Sequence, residues 1–159
     1  MKRLLSLIML LALALSLSGC FLFEAHETDK KLTTFLTDSP VVSVRYYYME
    51  MDGHFRFEDL DEDKLDGFVD RLDSMKLESG GARDYFWGGQ FGIEMELEDG
   101  TYLTYDGTCL EHRNAKIGRR YNSDDRIRKR FVSVTDCDFW DVMKEYFPSI
   151  EEHKDVFKG

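Results

Sequence analysis

Short alternating runs of apolar and polar residues occupy the middle of the chain, and Asp-Gly pairs separate them. Residues 41–51 are rich in valine and tyrosine, a composition that favours a strand. One face of that strand is expected to carry Val42, Val44, Tyr46 and Tyr48. Asp52-Gly53 tolerates the two positive φ angles of a tight hairpin turn, so we predict that residues 54–57 form the returning strand.

The stretch 61–76 has the spacing of an amphipathic helix. Carboxylates within residues 59–63 suit a helix start, where the peptide dipole favours negative charge. The apolar side chains that follow recur at helical spacing: Leu65, Phe68, Val69, Leu72 and Met75. We therefore expect one face of this helix to pack on a core.

Residues 91–98 alternate apolar side chains with Glu94, Glu96 and Glu98, which predicts a strand with one buried face and one solvated carboxylate face. The turn pairs Asp99-Gly100 and Asp106-Gly107 then predict strands over 101–105 and 108–111, and a further strand is expected over 131–135. A second helix is predicted from Asp136, which can cap it, to Pro148, which stops it.

Hairpin connections join antiparallel neighbours, so this order of elements favours one type of sheet. We expect an α+β fold, with a mostly antiparallel sheet of five to six strands and two helices packed on one face. The predicted organisation is a signal peptide over 1–19, a lipidated cysteine and tether over 20–39, a single α+β domain over 40–150 and a tail over 151–159.

The first twenty residues have the pattern of a secretory leader. Two cations, Lys2 and Arg3, precede an apolar run over 4–17 that only two serines interrupt. As a helix that run would span only about 21 Å, against a hydrocarbon core of about 30 Å, so a transmembrane anchor is the poorer interpretation.

The leader ends in Leu17-Ser18-Gly19-Cys20, which resembles the lipobox of bacterial lipoproteins. The resemblance implies that the leader is cut before Cys20 and that the Cys20 thiol is lipidated. It places the protein on the extracytoplasmic face of the cell membrane, held there by the lipid anchor. The alternative is an ordinary leader that ends in cysteine, which would leave a soluble secreted protein.

The remaining chain is similar to small lipoprotein domains of Gram-positive bacteria. The similarity lies in the strand 41–48, the turn Asp99-Gly100 and the helix start Asp138-Phe139-Trp140. It covers about 40–147 and rests on this order of elements. The resemblance therefore implies a fold, and it carries no activity over.

Charge is sorted unevenly along the chain, which has 31 acidic and 21 basic residues and a formal charge of −10. The basic segment, residues 112–130, holds eight cations and only two carboxylates, a net charge of +6. These cations are the candidate anion-binding residues: Arg113, Lys116, Arg119, Arg120, Arg126, Arg128, Lys129 and Arg130. The alternative is a solvated loop whose arginines pair with the protein's own carboxylates. The chain is too acidic as a whole, and too exposed outside the cytoplasm, for nucleic acid to be the expected partner.

Two further sites come from residue type and compartment. Once Cys20 is lipidated, Cys109 and Cys137 remain as a candidate disulfide outside the reducing cytoplasm, and the alternative is two buried thiols. Tyr85, Phe86 and Trp87 stand beside flexible glycines and form a candidate contact patch, unless they enter the core.

Nothing in the sequence indicates a metal site, a cofactor or a catalytic centre. The carboxylates from Asp59 to Asp70 superficially resemble a calcium loop, but Lys64 stands where that loop requires glycine. No serine stands in a Gly-x-Ser-x-Gly motif, and the histidines are scattered. We therefore predict a binding module for an anionic envelope component or a partner protein. The alternative is a small enzyme or enzyme inhibitor acting outside the cytoplasm.

Overall fold

A computed structural model describes residues 26–50, 52–79, 91–118, 122–134 and 139–150. Within these residues the backbone forms eight strands: β1 His26–Thr28, β2 Val41–Met49, β3 Phe55–Asp59, β4 Leu77–Ser79, β5 Phe91–Leu97, β6 Tyr102–Tyr105, β7 Cys109–Arg113 and β8 Arg126–Val134. It also forms two α-helices: α1 Leu65–Asp73 and α2 Phe139–Tyr146. A short 3-10 turn, Glu62–Lys64, leads into α1. The observed α-helix is therefore shorter than the helix predicted over 61–76.

All eight strands join one antiparallel sheet in the order β1-β4-β8-β7-β6-β5-β2-β3. The α+β class and the two helices agree with the sequence prediction, whereas the predicted count of five to six strands is wrong. The two unpredicted strands, β1 and β4, have three residues each and pair with one another. Strands this short carry too few residues for an alternating pattern.

The segment expected to be a tether, residues 20–39, joins the fold from His26 onward. Strand β1 pairs with β4, and Leu32 and Leu36 lie in the core with 0% and 7% of their surface exposed. Thr33 donates through its backbone amide and its hydroxyl to Asp73 at the end of α1, at 3.1 and 2.8 Å. The folded domain therefore begins well before the predicted boundary at residue 40.

The two faces of the sheet have different surroundings. The helix-side face packs against α1 and α2 and carries the main apolar core, which includes Val44, Tyr46, Ile93, Met95, Leu103 and Leu110. Ring contacts join this face to the end of α2, as between Tyr46 and Phe147 at 5.8 Å. The loop-side face carries Arg45, Tyr47, Glu94, Thr104 and Glu111. The backbone oxygens of Ile117 and Asn122, between β7 and β8, contact this face.

The Asp-Gly turns form where the sequence predicts them, but only their glycines have positive φ. Gly53 and Gly100 have φ values of 78° and 80°, and no residue other than glycine has a positive φ among those described. The aspartates act as acceptors instead: the Asp99 carboxylate accepts from the Thr101 amide at 2.9 Å and from its hydroxyl at 2.6 Å. Each residue of the pair thus has a separate role.

Candidate functional site

Much of the basic segment is strand rather than loop. Its first two residues, His112 and Arg113, end β7, and residues 126–130 form the first half of β8. In the antiparallel register Glu111 faces Lys129 and His112 faces Arg128. Since neighbouring side chains on a strand point to opposite faces, Arg128 and Arg130 lie on one face of the sheet and Lys129 on the other. A register shift between His112 and Arg113 places Arg126 opposite Arg113, on the face of Lys129.

On the loop-side face, Glu111 is the centre of a buried ionic cluster. The carboxylate is 5% exposed, and the Arg113 guanidinium, 1% exposed, donates to it at 3.1 Å. Arg126 and Lys129 reach the other carboxylate oxygen at 3.0 and 3.5 Å. Arg113 also donates to the backbone oxygen of Asn122 at 2.9 Å, which ties the 114–125 connection to the sheet. This cluster satisfies charges that burial alone would make costly.

A second buried carboxylate, Glu94, holds the start of the same connection. Only 2% of Glu94 is exposed, although the sequence pattern predicts a solvated residue there. Its carboxylate accepts from Arg45 Nε at 2.6 Å and from the backbone amide of Ile117. The prediction for Glu94 is therefore wrong, because the connection covers this part of the strand. Glu96 is half-buried and Glu98 is exposed.

On the loop-side face, Tyr47 packs directly against the backbone of Gly92. A Cβ atom at residue 92 would lie 2.6 Å from the Tyr105 backbone oxygen and 2.8 Å from the Tyr47 hydroxyl. Tyr47 itself is 3% exposed, and burial raises its pKa well above the usual value for tyrosine. The ring can pack this closely only because residue 92 has no side chain.

The eight candidate anion-binding cations fall into three groups. Four pair with the protein's own carboxylates on the loop-side face: Arg113, Arg126 and Lys129 with Glu111, and Lys116 with Glu96 at 2.8 Å. Arg119 and Arg120 lie outside the described residues. Arg128 and Arg130 lie on the helix-side face, and among the described residues neither forms an ion pair with a carboxylate. The structure supports the alternative interpretation, in which cations neutralise the protein's own carboxylates, for the four residues of the first group: Arg113, Lys116, Arg126 and Lys129.

Arg128 borders a cleft of about 400 Å³ between β7–β8 and the segment that follows β1. The cleft is lined by Lys30, Thr34, Phe35, Leu36, Thr37, Asp38, His112, Ile127 and Arg128. Arg128 donates to the Leu36 backbone oxygen at 3.3 Å, and the Lys30 ammonium lies 5.2 Å from the centre of the Phe35 ring. The sequence pattern does not mark Lys30 or Phe35 for this role, because they come from a segment expected to be a tether.

His112 lies at the inner wall of the cleft in a fixed orientation. Its Nε2 is 2.8 Å from the Thr101 hydroxyl, which donates its only proton to Asp99. Nε2 must therefore carry a proton and donate to Thr101. Burial lowers the pKa of His112, the nearby Arg128 charge lowers it further, and Asp99 opposes both. This direction of proton donation is the reverse of nucleophile activation, in which Thr101 would donate to His112.

The other sequence-predicted sites lie partly or wholly outside the described residues. Cys109 is half-buried in β7, and burial raises the pKa of its thiol to about 11. Its predicted partner, Cys137, is outside the described residues, so the disulfide stays a prediction. Cys20 and the contact patch Tyr85, Phe86 and Trp87 are also outside them.

Searches for metal ligands, membrane spans and relatives give no assignment. Across the described ranges, no three His, Cys, Asp or Glu side chains converge as metal ligands. The helices in those ranges are too short or too polar to cross a bilayer. Comparisons with protein-family models, curated protein sequences and solved structures find no match to this chain.

Proposed function

We propose that this chain is a lipoprotein anchored through Cys20 on the extracytoplasmic face of the membrane, and that its domain is a binding module. The proposed ligand is an anionic envelope component that carries phosphate groups, and an acidic partner protein is the alternative. The lipobox-like residues 17–20 support the anchor. Strand β1 begins at His26, six residues after Cys20, which an extended chain spans in at most about 21 Å. The domain would therefore stand close to the lipid surface.

The observation that carries the binding proposal is the position of Arg128 and Arg130. Both side chains are exposed, both lie on the helix-side face of β8, and two strand steps of about 3.3 Å separate them. Guanidinium groups bind phosphate or carboxylate oxygens through paired hydrogen bonds. Because the other described cations of the basic segment already have carboxylate partners, these two are the ones available to an external anion.

The cleft beside Arg128 is lined by a second cation, Lys30, and by apolar side chains. Lys30 reaches it from the segment after β1, so the two positive charges come from parts of the chain far apart in sequence. Phe35 and Ile127 supply apolar surface, while Asp38 contributes the opposing charge. Such a concave site with few charged groups suits a ligand whose anionic group enters the cleft and whose remainder lies outside.

The anchor is tested by changing Cys20 to Ala. We expect the variant to incorporate no acyl label and to leave the membrane fraction, because the 4–17 apolar run is too short to hold the protein there. Wild-type protein expressed at the same level is the control. Unchanged acyl labelling together with unchanged membrane fractionation would show that the lipobox interpretation is wrong.

The binding site is tested with two double variants of the full chain in nanodiscs of zwitterionic lipid. Arg128→Gln with Arg130→Gln removes two charges from the helix-side face, and Lys116→Gln with Lys129→Gln removes two from the loop-side face of the same segment. Net charge is therefore matched between the variants. The probes are polyglycerol phosphate and, for an acidic protein, polyglutamate of similar length.

We expect the arginine variant to lose about 2 kcal/mol of affinity for polyglycerol phosphate, roughly 30-fold, while the lysine variant binds nearly as wild type. Wild-type binding should weaken steeply with salt, since the Debye length falls from about 10 Å at 0.1 M to about 3 Å at 1 M. Equal losses in both variants would indicate a response to net charge, and preference for polyglutamate would favour the acidic-protein alternative.

A further inference from the structure

The outer edge of β3 has unpaired backbone groups arranged in a regular pattern. Strand β3 is the last strand of the sheet, and among the described residues only β2 pairs with it. The ladder to β2 is bounded by bonds from the Glu50 amide to the His54 oxygen at 3.0 Å and from the Leu60 amide to the Val44 oxygen at 2.9 Å.

Antiparallel bonding alternates along a strand, so these two bonds determine which residues of β3 point which way. Arg56 and Glu58 direct their backbone groups towards β2. Phe55, Phe57 and Asp59 direct theirs to the outer edge. That edge thus presents three successive amide and carbonyl pairs, spaced for another antiparallel strand.

On the loop-side face this edge carries Phe55, Phe57 and Asp59, and on the helix-side face it carries Arg56 and Glu58, which have opposite charges. Phe57 is 38% exposed on the loop-side face, where the Arg45 guanidinium lies 3.9 Å from its ring centre. On the helix-side face, Arg56 is half-exposed and pairs with Glu50 at 2.7 Å and with Asp52 at 3.8 Å. Glu58, two residues later, is half-buried and accepts from the Ser149 hydroxyl.

Among the two-fold registers of β3 against a copy of itself that are centred on Arg56, Phe57 or Glu58, only the one centred on Phe57 places opposite charges across from each other; it also places Phe55 opposite Asp59 of the copy. With Phe57 opposite Phe57 of the copy, all the outward groups form hydrogen-bonded pairs, and Arg56 stands opposite Glu58 of the copy twice. A shift that centres the pair on Arg56 places two arginines opposite each other, and a shift to Glu58 places two glutamates there. Like charges directly opposite on neighbouring strands are destabilising.

We infer that two copies of this chain associate through β3 in the Phe57-centred register, which extends the two sheets into one. This inference is independent of the anionic ligand. Strand β1, through which the chain enters the described fold, lies at the opposite edge of the sheet. Seven strand spacings of about 4.8 Å, or about 34 Å, separate it from β3. Pairing at β3 therefore leaves the β1 edge and the cleft of Arg128 free.

The register is tested by disulfide cross-linking of the full chain in membranes, with single cysteines at residues 56, 57 and 58. In the proposed register residue 57 faces its own copy with a Cα separation of about 5.5 Å, which suits a disulfide. Residues 56 and 58 lie about 8 Å from their own copies, beyond the range of a disulfide. We expect Phe57→Cys to give a dimer on oxidation, and Arg56→Cys and Glu58→Cys to give no more than wild type, whose native cysteines set the baseline.

Charge exchange provides a second test that does not depend on a cysteine at residue 57 being tolerated. Arg56→Glu converts two unlike pairs of the dimer into like-charge pairs, so the association constant should fall roughly tenfold. The double variant Arg56→Glu with Glu58→Arg restores opposite charges and should regain association. Dimer content is measured for the full chain in nanodiscs of varied protein density.

Each alternative result contradicts the inference. Cross-linking of residue 56 or 58 as strong as that of residue 57 would exclude the proposed register. Association through β3 would be excluded by two results together: a Phe57→Cys variant that melts as wild type yet gives no dimer, and a dimer content that neither Arg56→Glu nor the double variant changes. Cross-links at residue 57 only to a protein of another mass would assign this edge to a different partner.

Discussion

On the loop-side face of the β7–β8 pair, Arg113, Arg126 and Lys129 surround one buried carboxylate, whereas on the helix-side face Arg128 and Arg130 have no carboxylate partner among the described residues. Both groups belong to one segment of net charge +6. The first group is committed to the fold, because burial would make its charges costly without Glu111. The second group is free to meet an external anion.

This difference shows that clustered charge in a sequence has two structural meanings. Successive residues of β8 point to opposite faces, so cations next to each other in sequence enter opposite environments. The register shift opposite His112 and Arg113 brings Arg126 to the face of Lys129. Stability should respond to changes on the loop-side face, and binding should respond to changes on the helix-side face. The predictions below test this separation, beginning with the largest expected effect.

Glu111→Gln should be the most destabilising of these changes. It removes the charge that balances Arg113, a guanidinium with 1% exposure, and breaking one partner of a buried ion pair costs about 3–5 kcal/mol. The measurement is urea unfolding of wild type and variant. Lys129→Gln is the control, since it removes the most exposed partner and leaves two guanidinium groups on Glu111; it should cost under about 1 kcal/mol. Equal losses would disprove a central role for Glu111.

Glu94→Gln should release the start of the 114–125 connection. The charged acceptor of Arg45 and of the Ile117 amide is lost, and hydrogen bonds to charged groups contribute about 1.5–3 kcal/mol. Hydrogen exchange at the Ile117 amide should speed up more than exchange in the core of β5. Glu98→Gln, at an exposed residue on the same face, is the matched control and should leave exchange at Ile117 and in β5 unchanged. Unchanged protection at Ile117 would contradict the assigned contact.

The regular part of the fold could be predicted because it depends on local pattern. The buried residues Val44 and Tyr46 alternate with Ser43, which is exposed, and Arg45, which is half-buried, and glycine provides the positive φ at Gly53 and Gly100. Strand β1 carries no such pattern, because it is polar, has three residues and forms only through pairing with β4. The error in strand number therefore has a tertiary cause.

The candidate site, too, depends on contacts between distant residues that no local sequence pattern predicts. Glu94 and Glu96 have the same local pattern, yet only Glu94 is covered, because its partner Arg45 is 49 residues away in sequence and Ile117 is 23 away. The basic segment marks the right region, but the register between β7 and β8 decides which cations are paired. The contact between Arg128 and Leu36 spans 92 residues, so the cleft has no local signal.

Acid should weaken the fold through His112. Because its pKa in the folded state is lowered, chiefly by burial and also by Arg128, the unfolded chain binds a proton first as the pH falls below about 6.5. Stability is therefore kept above that pH and lost below it, by at most about 1.4 kcal/mol per pH unit. Urea unfolding at pH 7.5 and 5.5 should show a smaller loss in His112→Gln than in wild type. An identical loss in both would exclude His112 as the source.

The smallest effect on stability is expected for Arg128→Gln with Arg130→Gln, the change that should reduce binding most. Both side chains are exposed and have no carboxylate partner among the described residues, so each substitution should cost less than about 0.5 kcal/mol. Arg128 gives up one hydrogen bond, a long one of 3.3 Å to the Leu36 oxygen at the cleft, so its loss should add little to the cost. Urea unfolding of the double variant should therefore match wild type. A loss as large as that of Glu111→Gln would place these arginines in the fold and remove the difference between the two faces.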